Sequence, residues 1–244
     1  MNKNGAVILA GGKGTRMKSE LPKVMCEVLG RPMIDYVIDA CTAADCDLCV
    51  IVGYKAEVVE QFVSGRCETA LQSPQLGTGH AVMQADGFIK RHFGGNVLVL
   101  CGDAPLMDAD TVKNALKMHN DENNAITVIT AKLDDPATYG RIVKKDGKIA
   151  AIVEYKDADE QTCAINEINS GAYWFKAEVL CDLLQKIDNN NAQNEYYLTD
   201  TIKLAIDSGL SVNSYVADRP EVVMGANDRE QLKELEAAAR RIIK

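Results

Sequence analysis

The chain has 244 residues and a mass of 26.5 kDa, enough for one α/β domain that buries roughly 70–75% of its unfolded surface without a metal or disulfide staple. A composition of 47% hydrophobic and 25% charged residues excludes a disordered chain, and no apolar run reaches the ~18–20 residues of a membrane span. The net charge of −8 argues against sequence-independent nucleic-acid binding, so a phosphorylated ligand would require a local cluster of cations.

The apolar stretch Ala6–Ala10 reads as the first strand. It is shorter than the ~7–15 apolar residues of a signal peptide, so a cytoplasmic protein is expected. A helix follows at Pro32–Ala43, a strand at Leu48–Gly53, a helix at Ala56–Val63 and a strand at Thr69–Leu71. Next come a helix at Gly79–Arg91, a strand at Val97–Cys101, a helix at Ala109–Asn120 and a strand at Ala125–Ala131. Arg141–Lys145 and Lys148–Val153 flank Asp146-Gly147, a hairpin turn signal. A strand at Gly171–Phe175, helices at Ala177–Ile187 and Leu198–Ser208, a strand at Ser211–Val216 and a helix at Asp228–Ile243 complete the chain. Continuously apolar strands alternating with amphipathic helices predict an α/β fold. The expected form is a Rossmann-like, doubly wound, mostly parallel sheet with helices on both faces. The middle third, Tyr139–Phe175, reads as a small antiparallel region. With no repeat or Pro/Gly linker, residues 1–244 form a single domain. In such a sheet ligands bind at the carboxyl ends of strands, here the loops after Ala10, Leu71 and Cys101.

Eight cysteines in a chain of this length are expected to be reduced. Cys41-x4-Cys46-x2-Cys49 imitates part of an iron–sulfur spacing, but helix, turn and strand would aim the three sulfurs apart, so core packing is the stronger reading. His80, His92 and His119 lack metal spacing and are expected at solvated positions near helix ends.

The loop after the first strand is Leu9-Ala10-Gly11-Gly12-Lys13-Gly14-Thr15-Arg16-Met17, followed by Leu21-Pro22-Lys23. Its glycines allow an anion-binding nest of backbone amides, and Lys13, Arg16, Lys18 and Lys23 supply the required cations against one acid, Glu20. It lacks the third glycine of a dinucleotide fingerprint and the Gly-Lys-Ser/Thr of a P-loop.

Leu9-Ala10-Gly11-Gly12-x-Gly14-Thr15-Arg16-x6-Lys23 resembles the signature loop of nucleotidyltransferases that make nucleotide sugars. Later blocks narrow the resemblance to the bacterial N-acetylglucosamine-1-phosphate uridylyltransferases, whose long form is bifunctional. They are Leu71-Gln72-x-x-Gln75-Leu76-Gly77-Thr78-Gly79-His80-Ala81, Gly102-Asp103-x-Pro105-Leu106, Tyr139-Gly140-Arg141-Ile142 and Val153-Glu154-x-Lys156-Asp157. Glu167-Ile168-Asn169-Ser170-Gly171, the stretch Asn189–Asp200 with Ala192 inside it, and Gly225-x-Asn227-x-Arg229 follow in the family's order.

The resemblance implies Mg2+-dependent transfer of a uridylyl group from UTP to N-acetylglucosamine-1-phosphate, with release of pyrophosphate. It implies Arg16 and Lys23 as catalytic cations, and Leu9, Ala10, Gly11, Gly12, Gly14, Gln72, Gly77 and Thr78 around the nucleotide. Cys101, Gly102, Gly140, Glu154, Asn169 and Thr199 would surround the sugar, and Asp103 and Asn227 would hold the metal. Asn227 also reads as a helix cap. The nucleotide half then spans about residues 1–120 and the sugar half about 121–226, ahead of a C-terminal helix at 228–243.

Two alternatives stand beside this reading. One is transfer to another sugar-1-phosphate, or from another base such as thymine. The other is a non-catalytic nucleotide-sugar sensor. The family's long form continues into a trimer-forming left-handed β-helix; without it a monomer or weak dimer is expected. Cys101 departs from the Tyr usual before Gly-Asp, while Gly11 for Ala and Ser170 for Thr are milder departures.

Overall fold

The computed structural model describes residues 3–191 and 193–243; Ala192, within the asparagine-rich block, lies outside the described residues. In chain order these form β1 (Asn4–Leu9), β2 (Glu27–Val28), β3 (Arg31–Pro32), α1 (Met33–Ala43), β4 (Cys46–Val52), α2 (Ala56–Val63) and β5 (Glu68–Leu71). There follow α3 (Thr78–Met83), α4 (Asp86–Arg91), β6 (Asn96–Cys101), α5 (Ala109–Asp121), β7 (Ile126–Lys132), β8 (Arg141–Lys145), β9 (Lys148–Val153) and α6 (Glu160–Cys163). The chain continues through β10 (Glu167–Lys176), α7 (Ala177–Leu184), α8 (Asp200–Asp207), β11 (Val212–Val216) and α9 (Arg229–Ile242).

The main sheet runs β11-β7-β10-β6-β1-β4-β5, and only β10 opposes its neighbours. Strand β1 pairs in parallel with β4 on one side and β6 on the other, so the ends of β1 and β6 lie together, Leu9 against Cys101. The expected hairpin is present. Lys145 pairs with Lys148 across Asp146 and Gly147, both at positive φ (52° and 78°), the backbone that Asp-Gly favours in a two-residue turn. Through Arg141 and Ile168 this hairpin hangs from β10 as the antiparallel appendage.

Side-chain alternation divides the apolar strands between two layers. Val7, Cys49, Ile51, Val97, Val99, Tyr173 and Phe175 face a core closed by α3, α4, α7 and α8. Ala6, Ile8, Val50, Leu98, Leu100 and Trp174 face the other, closed by α1, α2 and α5. Both faces are buried, which explains the continuous hydrophobic runs. Cys49 belongs to the first layer, and Cys41 and Cys46 belong to the second, so the sheet separates the cysteine triplet. A smaller core beneath α9 gathers Met17, Val28, Met33, Leu106, Leu235 and Ala239.

Three expectations are corrected. The helix expected at Gly79–Arg91 is two helices. Gln84 and Ala85 make i→i−3 bonds to Ala81 and Val82, a kink that lets Val82 and Ile89 enter one core. The helix expected from Leu198 starts at Asp200, because Tyr197–Thr199 form a turn that directs Thr199 toward Glu154. His92 and His119 are buried, not solvated. His119 lies against the sheet, with Nε2 paired to Asn96 Oδ1 on β6 at 3.1 Å and Nδ1 to Thr127 Oγ1 on β7 at 3.0 Å. Asn96 Oδ1 only accepts, so Nε2 carries the proton and the Thr127 hydroxyl donates to Nδ1.

Burial, and then the Lys176 ammonium, lower the His119 pKa from 6.5 to about 4. A depressed histidine pKa favours the neutral folded form. Its stability contribution is complete above pH 6.5 and is lost as pH falls toward 4, by roughly 3 kcal/mol at full protonation. Urea midpoints at pH 7.5 and 4.5 should fall further for the wild type than for His119→Gln. Equal losses would show that this imidazole is not the acid-sensitive group.

Candidate active site

Two adjoining hollows open where β1, β5 and β6 end. The first, about 280 Å3, is walled by Leu9, Gly11, Gly12, Lys23, Gln72, Gln75, Gly77, Thr78 and Glu195. The second, about 320 Å3, reaches across to the antiparallel region and is walled by Tyr139, Gly140, Glu154, Asn169, Thr199 and Asn227. Leu9, Thr78, Cys101 and Asp103 line both. The three loops singled out in the sequence therefore meet in one place.

The first hollow is built by bonds between those loops. Gly11 accepts from the Tyr54 amide at 3.1 Å and from Gln75 Nε2. Gln72 is buried and its Nε2 donates to the Gly77 carbonyl at 2.9 Å, while Oε1 stands beside Gly11. One half of the Gln72 amide is thus occupied within the protein and the acceptor half remains for a ligand. Gly77 has φ of 105°, and a Cβ there would stand 2.6 Å from the Tyr196 carbonyl, so no side chain fits. Thr78 Oγ1 accepts from the Leu198 amide at 3.0 Å and joins this wall to the turn preceding α8.

The second hollow is ordered by β10. Its register with β7 shifts between Asn169 and Ala172, a bulge pinned by Ser170 Oγ, which donates to the Ile129 carbonyl at 2.6 Å. Asn169 Oδ1 accepts from Tyr173 Oη at 2.8 Å and from the Gly171 amide at 3.1 Å, leaving its Nδ2 for a ligand. Glu154 accepts from Thr199 Oγ1 at 3.4 Å. Burial raises its pKa above the ordinary value, the Thr199 hydrogen bond opposes this, and the Asp157 and Asp200 charges add to the rise. Arg141 is buried and its guanidinium donates to the carbonyls of Ala137, Tyr139 and Cys163, which fixes the Tyr139-Gly140 wall.

At the junction, Lys23 Nζ ion-pairs with Asp103 and donates to Asn227 Oδ1 at 2.6 Å. The cap of α9 is Asp228, whose carboxylate accepts from the Glu230 and Gln231 amides, so Asn227 is free to face the site and the cap reading for it is corrected. Asp103 and Asn227 thus aim one carboxylate and one amide oxygen at a single point. No group of three or more His, Cys, Asp or Glu residues suited to a metal occurs among the described residues. A divalent cation held here would therefore complete its shell with ligand oxygens and water, which suits Mg2+, and the residues present fit such an ion.

Four expected site residues do not line either hollow. Ala10 continues the sheet, its amide donating to Ile51, with its side chain in the core. Gly102 lies beneath the floor, donating to the Leu9 carbonyl at 2.9 Å. Gly14 backs onto the Lys23 stem. Arg16 is exposed on a single 3-10 turn and makes no hydrogen bond or ion pair among the described residues. That turn is held from outside: Arg229 donates to the carbonyls of Met17 at 3.2 Å and Lys18 at 3.1 Å, and Lys55 donates to Glu20 at 2.5 Å. Sequence reasoning gave no role to Gln75, Tyr139 or Arg229, although each stood inside a quoted block.

Comparison with known proteins bears on the family and the fold. The profile of the family described as Nucleotidyl transferase matches residues 5–219. The chain is 48% identical over 238 residues to the bifunctional protein GlmU of Pelotomaculum thermopropionicum, covering 97% of this chain and 52% of that protein. It is 45% identical over 238 residues to the protein of the same name from Bacillus velezensis, with the same two coverages. The chain thus spans about half the length of the curated relatives it matches. Two solved structures share its fold. One is described as a glucose-1-phosphate thymidylyltransferase from Bacillus anthracis, with TM-score 0.80 and 19% identity over 97% of this chain and 95% of that one. The other is a UDP-glucose pyrophosphorylase, with TM-score 0.76 and 18% identity over 99% and 100% of the two chains. No helix is long and apolar enough to cross a membrane among the described residues.

The Arg229 contacts yield a test that needs no substrate. Arg229→Ala should speed amide exchange across residues 15–20 by about fivefold, the worth of roughly 1 kcal/mol in local opening, while Tm moves little. Unchanged exchange would show that the guanidinium does not restrain this loop.

Proposed function

The chain belongs to the nucleotidyl transferase family, and from that membership we propose that it transfers the uridylyl group of UTP to N-acetylglucosamine-1-phosphate. The observation that carries this reading is the pair of hollows meeting at Lys23, Asp103 and Asn227. One side offers amides and a glutamine to a nucleotide; the other offers a carboxylate and an amide to a polyhydroxy ring.

In the reaction a phosphate oxygen of the sugar-1-phosphate forms a bond to the α-phosphorus of UTP. The bond from that phosphorus to the β-phosphate oxygen breaks, and pyrophosphate leaves with the electron pair. No covalent enzyme intermediate is required. The obstacle is repulsion between two anions, so positioning and neutralisation are the catalytic work.

Gly11 and Gly12 bring backbone close to the nucleotide, and Leu9, Gly77 and Thr78 bound it. Gln72 presents its free acceptor to the base. An imide N–H, as in uracil, can donate to it, whereas the corresponding ring nitrogen of cytosine is itself an acceptor. Glu154, Asn169 Nδ2, Thr199 and the Gly140 backbone take the sugar hydroxyls and acetamido group, with Cys101 on the shared wall. Arg16, unpaired on its turn, closes onto the β- and γ-phosphates; its planar fork suits their oxygens. Lys23 meets the reacting phosphates as a point charge. Asp103 and Asn227 would hold Mg2+, which when bound would supply neutralisation of phosphate charge. Ala10, Gly14 and Gly102 act from behind the walls.

Incubation with UTP, Mg2+ and a panel of sugar-1-phosphates should release pyrophosphate fastest with N-acetylglucosamine-1-phosphate, ahead of the glucose and N-acetylgalactosamine compounds. Silence across the panel would overturn the enzymatic reading, and preference for another sugar would overturn the substrate assignment. Asp103→Ala should lower kcat by about 100-fold or more, the loss expected when a preorganised charge is removed. Gln72→Ala should raise KM for UTP about tenfold, equivalent to ~1.4 kcal/mol, and narrow the discrimination between UTP and CTP. Unaltered base preference would remove Gln72 from the base site.

A further inference from the structure

Lys23, Asp103 and Asn227 come from three distant parts of the chain, and the Lys23 ammonium is what joins the other two side chains. Among the described residues that line the two hollows it is also the one Lys or Arg, against three carboxylates, Asp103, Glu154 and Glu195. The proposed chemistry asks this ammonium to be at the phosphates and the two oxygens to be on a metal ion. In the structure they hold each other.

The same oxygens cannot hold an ammonium and a divalent cation together, since the two positive charges would then lie within a few ångströms of each other where the side chains are largely shielded from solvent. Leaving the Asp103 carboxylate without either partner is also costly, with its side chain only 21% exposed. One cation must replace the other. We propose that Lys23 is the resident counter-ion of the metal site: it occupies Asp103 and Asn227 in the empty protein, yields them to a divalent cation, and is thereby released into the nucleotide hollow it already lines. The proposal rests on the reading of Asp103 and Asn227 as metal ligands.

The local structure suits this exchange. A Cβ at Gly14 would stand 2.7 Å from Lys23 Cβ, so the base of the lysine stem is pinned against the loop backbone. Beyond it, lysine carries a compact charge on a flexible stem, unlike the planar fork of arginine. Lys23 sits on a 3-10 turn whose Val24 and Met25 are buried, so the movement falls on the side chain and not on the backbone. The exchange also couples two events. A metal ion displaces the ammonium, and a phosphate group that accepts the ammonium favours the metal, so each ligand raises the affinity for the other.

The test is Mn2+ binding to the full chain, followed by electron paramagnetic resonance without nucleotide. Lys23→Met, which keeps the length of the stem and removes its charge, should bind Mn2+ about tenfold more tightly than wild type. Asp103→Asn should bind it more weakly. In parallel, acetic anhydride labelling of Lys23, mapped by peptide mass spectrometry against exposed Lys113, should rise severalfold when Mg2+ is added without substrate. Tighter binding by Lys23→Met together with metal-exposed Lys23 supports the exchange. Weaker Mn2+ binding by Asp103→Asn, with no gain in Lys23→Met or no change in labelling, overturns the exchange and leaves the metal site standing. Equal Mn2+ affinity in all three proteins overturns the metal assignment itself.

Discussion

The carboxyl ends of β1 and β6 lie side by side, Leu9 paired with Cys101, and the site is hung from that pair. The Gly102 amide donates to the Leu9 carbonyl, which carries the ladder one step past the strands before the two chains part. From there one chain turns into the glycine loop and the other into Asp103. Parallel pairing makes this possible. Antiparallel neighbours would send their loops to opposite ends of the sheet, whereas parallel ones release theirs at the same end. β10 runs against β6, so its first residues, Asn169 among them, lie at this same end, and the bulge after Asn169 sets how they meet β7.

A glycine-rich loop that walls a cavity needs order without bulk. Here the order comes from groups outside the loop that satisfy its carbonyls: Gln75 at Gly11, Arg229 at Met17 and Lys18, Lys55 at Glu20. Met17 anchors the same segment in the small core beneath α9. The start of α9 therefore does three things in three residues. Asn227 receives Lys23, Asp228 caps the helix, and Arg229 fixes the turn that carries Arg16. Lys23, the turn that carries Arg16 and the C-terminal helix form one mechanical unit.

What the sequence disclosed follows from the range of the forces involved. Strand alternation, the Asp146-Gly147 turn and the loops after β1, β5 and β6 are local, and local patterns are written in neighbouring residues. The family blocks announced most of the cavity wall as well, including Gly140, Glu154, Asn169 and Thr199. Pairings that span the chain were not legible. Nothing near Lys23 points to Asn227, and nothing near Arg229 points to Met17. Arg141 read as one residue of a motif, while it collects carbonyls from the loop that precedes it and from Cys163 after it. His119 sits at the end of an amphipathic helix, where polarity suggests water; its burial depends on Asn96 and Thr127, which only the sheet brings near. The helix expected over Gly79–Arg91 is broken and the one expected from Leu198 starts later, because the kink at Ala85 and the turn at Thr199 answer to tertiary packing and not to propensity.

The wall common to both hollows contains a thiol, Cys101, with Sγ facing the Gly171 carbonyl. Burial pushes its pKa up to about 12, the Asp103 and Glu154 carboxylates add to the rise, and the Lys23 ammonium only tempers it. A group at this position that ionised near neutrality would add a further anion to Asp103 and Glu154. Cys101 instead stays protonated, and a protonated sulfhydryl is a poor nucleophile. Alkylating agents and peroxides that consume low-pKa cysteines should pass it by. A warhead designed to capture this side chain would gain little from its place in the cleft, and reversible ligands that merely fill the space beside the sulfur have the better prospect.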